Sequence, residues 1–396
     1  VSNARRVIVG SERFGDLNIT DPLLWQPGKP VVFLSGCSWA CSGGAQRPVA
    51  LAREVGAMGH PTIYHSKQDP VSQWAGGPIV LNKSSMERLM PQLIKMQGTC
   101  IMALVEYADI AKELQRAGWT VAYDVIDDWR AFQQGGNATW YDEQAEVKSL
   151  RQANVITCSA PRLAEIIKQQ IGRDAHLIRN AGPGKPFAEC ERPTDMVVGK
   201  RGSIVYVGAL WGAWFDWRLF EETASEMRRA HFTMVGDFTD YTKTVKLPNV
   251  SYVGPRPYPE AMKYLCHADA AIIPFKDETI CASVDPVKWY DHVAARVWTV
   301  ASGLMTDIVG RPWTLVADKK AKSLTAEIKA VMAEERPSRR DAAEHLKDNS
   351  WTVRARQMLD VCEKFEKPQA PAWPPTDGGR GPQDAPARRR ETHVGP

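Results

Sequence analysis

The chain alternates short, continuous apolar runs with longer segments whose apolar residues return every three or four positions. In the first half the runs are Val31–Leu34, Thr62–Tyr64, Cys100–Val105, Thr120–Ile126, Ala153–Ser159 and His176–Asn180. In the second half they are Ser203–Gly208, Phe232–Gly236, Val250–Gly254, Ala270–Phe275, Val297–Ala301 and Leu315–Ala317. Runs this short, apolar on both faces, are expected of buried parallel strands. Between them, Leu51, Val55 and Met58, then Leu163, Ile166 and Ile167, then Phe220, Ala224 and Met227 have helical spacing, as do Leu324, Ile328 and Val331. A further helix carries Trp351, Ala355, Met358, Leu359, Cys362 and Phe365. Strand and helix in strict alternation predict an α/β fold with parallel sheets. Residues 1–29 and 67–96 have no pattern that assigns them, although Arg5–Gly10 has the content of a short strand. The stretch 185–200, rich in proline and charge and without periodicity, predicts a linker. Boundaries of 1–187 and 188–345 follow for two domains, with a last helix over 346–366. Beyond 367, Pro, Gly, Asp and Arg dominate and include Arg388-Arg389-Arg390, a composition expected to stay disordered.

One strand–loop–helix–strand unit carries the most chemistry. Ala270–Phe275 is followed by a loop and then by Ser283-Val284-Asp285-Pro286-Val287-Lys288-Trp289-Tyr290-Asp291-His292-Val293-Ala294-Ala295. In open parallel sheets, ligands bind beyond the carboxyl ends of strands and phosphates settle on helix N-termini. Asp285 suits an N-cap and Pro286 the first helical position. Lys288 then falls in the first turn, near an anion held there, and Asp291 one turn on, within reach of a ribose hydroxyl pair. The spacing points to a nucleotide site, against the plainer reading of Asp291 as a solvated helix residue.

Composition narrows the class. The 396 residues suit two domains, and 44% hydrophobic with 24% charged residues is ordinary for a soluble globular chain. A net charge of +4 is too small to argue for nucleic-acid or membrane binding over the whole surface. The eight cysteines form no framework, and Cys37-x-x-x-Cys41 lacks a second pair at zinc spacing, so reduced thiols in a cytoplasm are expected and no metal site is. No signal peptide is read at Val1–Arg6, and no stretch approaches the roughly 18 apolar residues of a membrane span. The loop Ser35–Gly44 between a strand and a helix is rich in small residues but lacks Gly-x-Gly-x-x-Gly, which weakens a nicotinamide or flavin reading. Asp127-Asp128 stands at a strand's carboxyl end. As a metal pair it is unconvincing, because adjacent side chains on extended backbone diverge and no third ligand is apparent.

Several of these stretches share a resemblance. Asp285–Ala295 resembles the donor helix of GT-B glycosyltransferases, which reads like Pro-x-Lys-x-Tyr-Glu-Tyr-Leu-Ala-Ala-Gly-x-Pro-Val-Val. Gly43-Gly44 before the first helix, Tyr123-Asp124-Val125-Ile126-Asp127-Asp128-Trp129, the turn cluster Asn180–Phe187, Tyr206–Trp217 and Val253–Glu260 resemble further segments of that family, in the family's order. The nearest branch is the retaining, family-4-like group. The resemblance implies two Rossmann-like domains with parallel sheets facing across a cleft, the last helix returning to the first domain, the acceptor mainly on the first domain and the sugar nucleotide mainly on the second. It implies donor contacts at Gly43, Gly44, Gly208, Trp211, Arg256, Pro257, Tyr258, Asp285, Pro286, Val287, Lys288 and Asp291. Asp127, Asp128 and Lys288 take catalytic or substrate-orienting roles. No cofactor or metal is implied, because helix dipoles and basic groups stabilise the leaving diphosphate in this fold.

The chain departs from the pattern in four places. Asp291 stands where the family has Glu, and Ser283 where it has a second acid. Ala295-Arg296-Val297-Trp298 replaces Ala-Gly-x-Pro, and Ala209 an Arg that serves the diphosphate. These departures motivate one alternative, an impaired GT-B protein that binds nucleotide or a partner without turnover. The basic tail motivates another, a transferase with a macromolecular acceptor such as nucleic acid. The donor sugar, base, acceptor and oligomeric state are left open.

Overall fold

The computed structural model describes residues 6–7, 29–39, 46–67, 69, 71–74, 77–210, 212–237, 245–276, 278–303, 306–318 and 320–365. The first sheet holds β1 (Arg6–Val7), β2 (Val31–Gly36), β3 (Thr62–Ser66), β4 (Ser72–Trp74), β5 (Ile79–Leu81), β6 (Thr99–Met102), β7 (Thr120–Val125), β8 (Val155–Cys158) and β9 (His176–Leu177). The second holds β10 (Ser203–Val207), β11 (His231–Val235), β12 (Val250–Gly254), β13 (Ala270–Pro274), β14 (Thr299–Ser302) and β15 (Thr314–Val316). The strand orders are β1-β4-β5-β3-β2-β6-β7-β8-β9 and β12-β11-β10-β13-β14-β15. The second sheet is parallel throughout. In the first, β4 runs antiparallel to both β1 and β5, so an antiparallel edge is added to the parallel sheet that the sequence predicts. That edge lies in the stretch whose pattern was unreadable, because three-residue strands are too short to show a period.

Helices α1 (Arg47–Ala57), α2 (Lys83–Leu93), α3 (Ala108–Arg116), α4 (Trp129–Gln134), α5 (Glu143–Gln152) and α6 (Pro161–Ile171) connect the first sheet. Helices α7 (Trp217–Glu226), α8 (Tyr258–Cys266), α9 (Thr279–Ala282), α10 (Val287–Ala294), α11 (Ala321–Ala333) and α12 (Arg339–Asp348) belong with the second, and α13 (Trp351–Glu363) ends the described chain. Side-chain caps start many of them. Asp216 accepts from the Leu219 amide at 2.9 Å, Ser338 from Asp341 and Ser350 from Val353. In α2, Asn82 caps the start at Ser85, and Pro91 lies within the helix in its last turn, where it has no amide to donate to the carbonyl four residues back.

Each sheet has apolar packing of its own. On the second, Tyr206, Phe232, Ile272, Val300 and Leu324 lie in one continuous cluster. On one face of the first sheet, Leu34, Ile63, Met102 and Leu163 pack together. On its opposite face, Phe33, Tyr64 and Ile101 pack against Val49 and Leu51 of α1 and against Ala355, Met358 and Cys362 of α13. The last helix therefore covers the first sheet although it follows the second in sequence. Thr352 fastens it by donating to Glu54 of α1 at 2.7 Å.

Met358 is fully buried in that layer. Met358→Ala should lower unfolding free energy by about 2–5 kcal/mol, as buried large-to-small changes do, measured by urea denaturation. A loss under ~1 kcal/mol would show that α13 is not part of the first sheet's core.

Candidate active site

The carboxyl end of β10 and the first turns of α8 and α10 meet beside one another. Lys288, in the first turn of α10, donates from Nζ to the Tyr206 hydroxyl at 3.0 Å. That hydroxyl donates in turn to the Ala209 carbonyl at 2.8 Å. The ammonium lies over the rings of Tyr206 and Phe275, 4.6 and 4.7 Å from their centres. Removal from water pulls its pKa down to about 7. The rings favour the charged form by cation–π attraction, and Asp291 one turn on favours it as well, but neither balances the lost hydration. An anion brought to this ammonium would restore it to the charged state.

Asp291 is buried, and Tyr258 Oη donates to its Oδ1 at 2.5 Å. Burial pushes the carboxyl up to about 7, against the opposing pull of the Tyr258 bond and Lys288. Tyr258 opens α8 directly after Pro257, its N-cap, so this bond fixes the Pro255–Pro259 loop to α10. Gly208 follows β10 at φ +142°, and Gly236 follows β11 at +155°. A Cβ on Gly236 would collide with the Gly208 carbonyl, and one on Gly208 would sit 3.0 Å from Lys288 Nζ. Glycine here gives room for the lysine. The Gly208 amide is itself used, donating to the Val235 carbonyl at 2.9 Å.

Three further residues of the predicted donor set are engaged within the protein. The α10 cap is Pro286, not Asp285. The Asp285 carboxylate is completely buried and held by the Asn180 amide at 2.7 Å, the Tyr290 hydroxyl and Arg311 at 2.9 Å. It is committed within the protein and is not presented to a ligand. Val287 packs its side chain on the first sheet's core. Arg256 pairs with Asp195 at 3.0 Å on the exposed surface, and no contact joins it to Lys288 or Asp291.

On the first sheet, Asp127 and Asp128 follow β7. Asp128 accepts from the Ala131 amide at 3.0 Å and caps α4. Asp127 is half-buried, and desolvation, with Asp128 adding to it, pushes its carboxyl up to about 7. The helix they introduce reaches across. Ala131 belongs to the second sheet's apolar cluster, and the Phe132 ring lies 5.8 Å from that of Trp214. Gly43, Gly44 and Trp211 lie outside the described residues. The bonds that Tyr206, Asn180 and Arg311 make had no sequence signal, because their partners are 82, 105 and 26 positions away.

The comparisons with known proteins are consistent in fold. Anabaena HepE, solved with UDP and glucose, superposes with a TM-score of 0.62 at 10% identity, covering 85% of this chain and all of that one. The α,α-trehalose-phosphate synthase of Burkholderia xenovorans, solved with glucose 6-phosphate, gives 0.61 at 10% over the same shares. The fold is GT-B. In sequence, the GT-B chain is 25% identical over 201 residues to TuaH of Bacillus subtilis, provisionally named a teichuronic acid biosynthesis glycosyltransferase. That match takes in 46% of this chain and spans half the length of the relative. No protein-family model matches. Among the described residues, no helix is long and apolar enough to cross a membrane.

Lys288 should titrate near pH 7, read from the 13Cε resonance that disappears in Lys288→Met. Titration near 10.5, the ordinary lysine value, would contradict the burial described here.

Proposed function

We propose that the protein is a glycosyltransferase moving a sugar from a nucleotide diphosphate donor to an acceptor hydroxyl, with retention and without a metal. The observation that carries this is the convergence of Gly208, Lys288, Tyr258 and Asp291 beyond strand ends of a GT-B second sheet. The diphosphate would lie against Lys288 and the α10 N-terminus, where the first amides have no intrahelical partner. Charge grows on the leaving phosphate as the glycosidic bond breaks. An ammonium held by Tyr206 is positioned before that happens, and removing one such donor typically costs about 3 kcal/mol of barrier. Asp291, pinned by Tyr258, is placed for the ribose hydroxyls. Asp127, across from the Trp214 loop, is placed for hydroxyls of the transferred sugar or acceptor. UDP is the first nucleotide to test, because HepE was solved with it. The free thiols of Cys100, Cys158, Cys190, Cys266 and Cys281 suit the reducing cytoplasm we assign to it.

The test is thermal stabilisation by UDP, UDP-sugars and other nucleoside diphosphates without metal. A ligand at ~100 times its dissociation constant should add about 2.7 kcal/mol, and Asp291→Ala should abolish most of the gain. No shift with any nucleotide would refute the donor site. Binding without transfer to any sugar acceptor would favour the impaired reading, for which the buried Ser283 in place of an acid is the motive.

Affinity should also depend on pH. Above about 7 an unliganded Lys288 is neutral and must take up a proton to meet the diphosphate. UDP affinity should therefore fall from pH 6.5 to 8.5, by at most ~10-fold per unit. Lys288→Met should bind more weakly at pH 6.5 and show a flatter profile. A wild-type affinity that rises with pH would contradict this role for Lys288.

A further inference from the structure

Asn180 lies where the chain leaves the first sheet, three residues after β9. Each of its four polar groups is used. Its amide donates to Asp285 Oδ2 at 2.7 Å and its Nδ2 to the Asp285 carbonyl at 2.6 Å. Its Oδ1 accepts from Arg47 of α1 at 3.3 Å, and its carbonyl from Arg354 of α13 at 3.3 Å. Arg47 is itself fixed by a two-pronged pair with Asp124 of β7, at 2.8 and 2.9 Å. One face of this residue is tied to the first sheet and its covering helices. The other is tied to the peptide just before α10.

We propose that Asn180 is a positioning residue through which the first half of the chain sets the pose of α10, and with it Lys288 and Asp291. The inference rests on the reading of α10 as the donor helix. Two other contacts make the tie directional. Val287, the first residue of α10, packs on the first sheet's core. Arg311 lies over the Trp289 ring at 4.7 Å while bonding Asp285, so the helix is held from its second-sheet side too. Trp289, which donates to Thr314 at 2.7 Å, and His292, bonded to Thr299 at 2.9 Å, hold the body of α10 on the second sheet. The two Asn180 bonds fix Asp285 on both its backbone and its side chain, and so fix where the helix begins. The tie also links the donor helix to α1, which Gly43-Gly44 precede in sequence, and to Asp124, three residues before Asp127.

The test is Asn180→Asp, which keeps the shape and the oxygen facing Arg47 but sets an oxygen where Nδ2 met the Asp285 carbonyl. In unliganded protein, amide hydrogen exchange in a peptide covering 287–295 should speed at least ~10-fold, with β13 and β14 unchanged. Tenfold is the change expected from about 1.4 kcal/mol of lost local stability. The UDP dissociation constant should rise by a similar factor. Thr352→Val, which loosens α13 from α1 without touching Asn180, should lower the melting temperature and change neither reading. If Asn180→Asp does not fold, Asp285→Asn is measured in its place with the same expectation. Exchange in α10 and UDP affinity both within twofold of wild type, in a folded variant, would overturn the proposal. Faster α10 exchange in a protein whose wild type binds no nucleotide would uphold the positioning and reject the transferase reading.

Discussion

The buried ionic cluster around Asn180 and Asp285 is the constraint on which the arrangement of both sheets rests. Arg47 and Asp124 are nearly inaccessible to water, and so is Asp285. Arg311 bridges Asp285 and Asp307, and Arg179 reaches Asp307 as well. Charges taken out of water are tolerable only when each is met by an opposite charge and hydrogen bonds. Removing one member leaves the others unmatched, so the cluster accepts only one geometry. It therefore fixes the crossing point of the chain more sharply than apolar packing would. A greasy interface can slide by half a side chain, but a two-pronged guanidinium–carboxylate pair cannot.

The site beside it is built on the opposite principle. Lys288 and Asp291 lie close together, yet burial drives both toward neutrality, with pKa values brought to about 7 from opposite sides. The Asn180 cluster pairs its carboxylates with arginines, whereas the Lys288 ammonium has rings and a hydroxyl around it and no ion pair among the described residues. The second environment leaves charge to be completed by something that arrives. The difference between the two clusters, one just before α10 and one on it, separates scaffold from site more clearly than residue type does, since both contain an Asp and a cation.

The sequence revealed the strand and helix rhythm because burial on both faces writes itself into apolar runs, as in Ala270–Phe275. Lys288 and Asp291 were legible because their spacing from a strand end is local, and Tyr258 through the resemblance of its loop. Asp285 was misread for the same reason. Local pattern makes an Asp before a Pro an N-cap, and only the fold brings Asn180 and Arg311 to it. The three-residue strands β4 and β5 and the α2 helix with its internal Pro91 were unreadable, since their order comes from neighbours in space. Arg296, at φ +59° where a glycine would be expected, keeps the turn after α10 by donating to the Pro337 carbonyl at 2.9 Å. The departure seen in sequence therefore preserves the bend.

The return of α13 to the first sheet bears on how such a gene can be cut and recombined. A crossover in the proline-rich stretch 185–200 would look natural, but it would send Ala355, Met358 and Cys362 away with the wrong partner. The first half would be left with an uncovered apolar face, and the second half would carry a helix fitted to a surface it no longer meets. Exchange between relatives that preserves both layers needs two breakpoints, one on each side of the second sheet. The inheritable unit is thus an insertion within the first half's sequence.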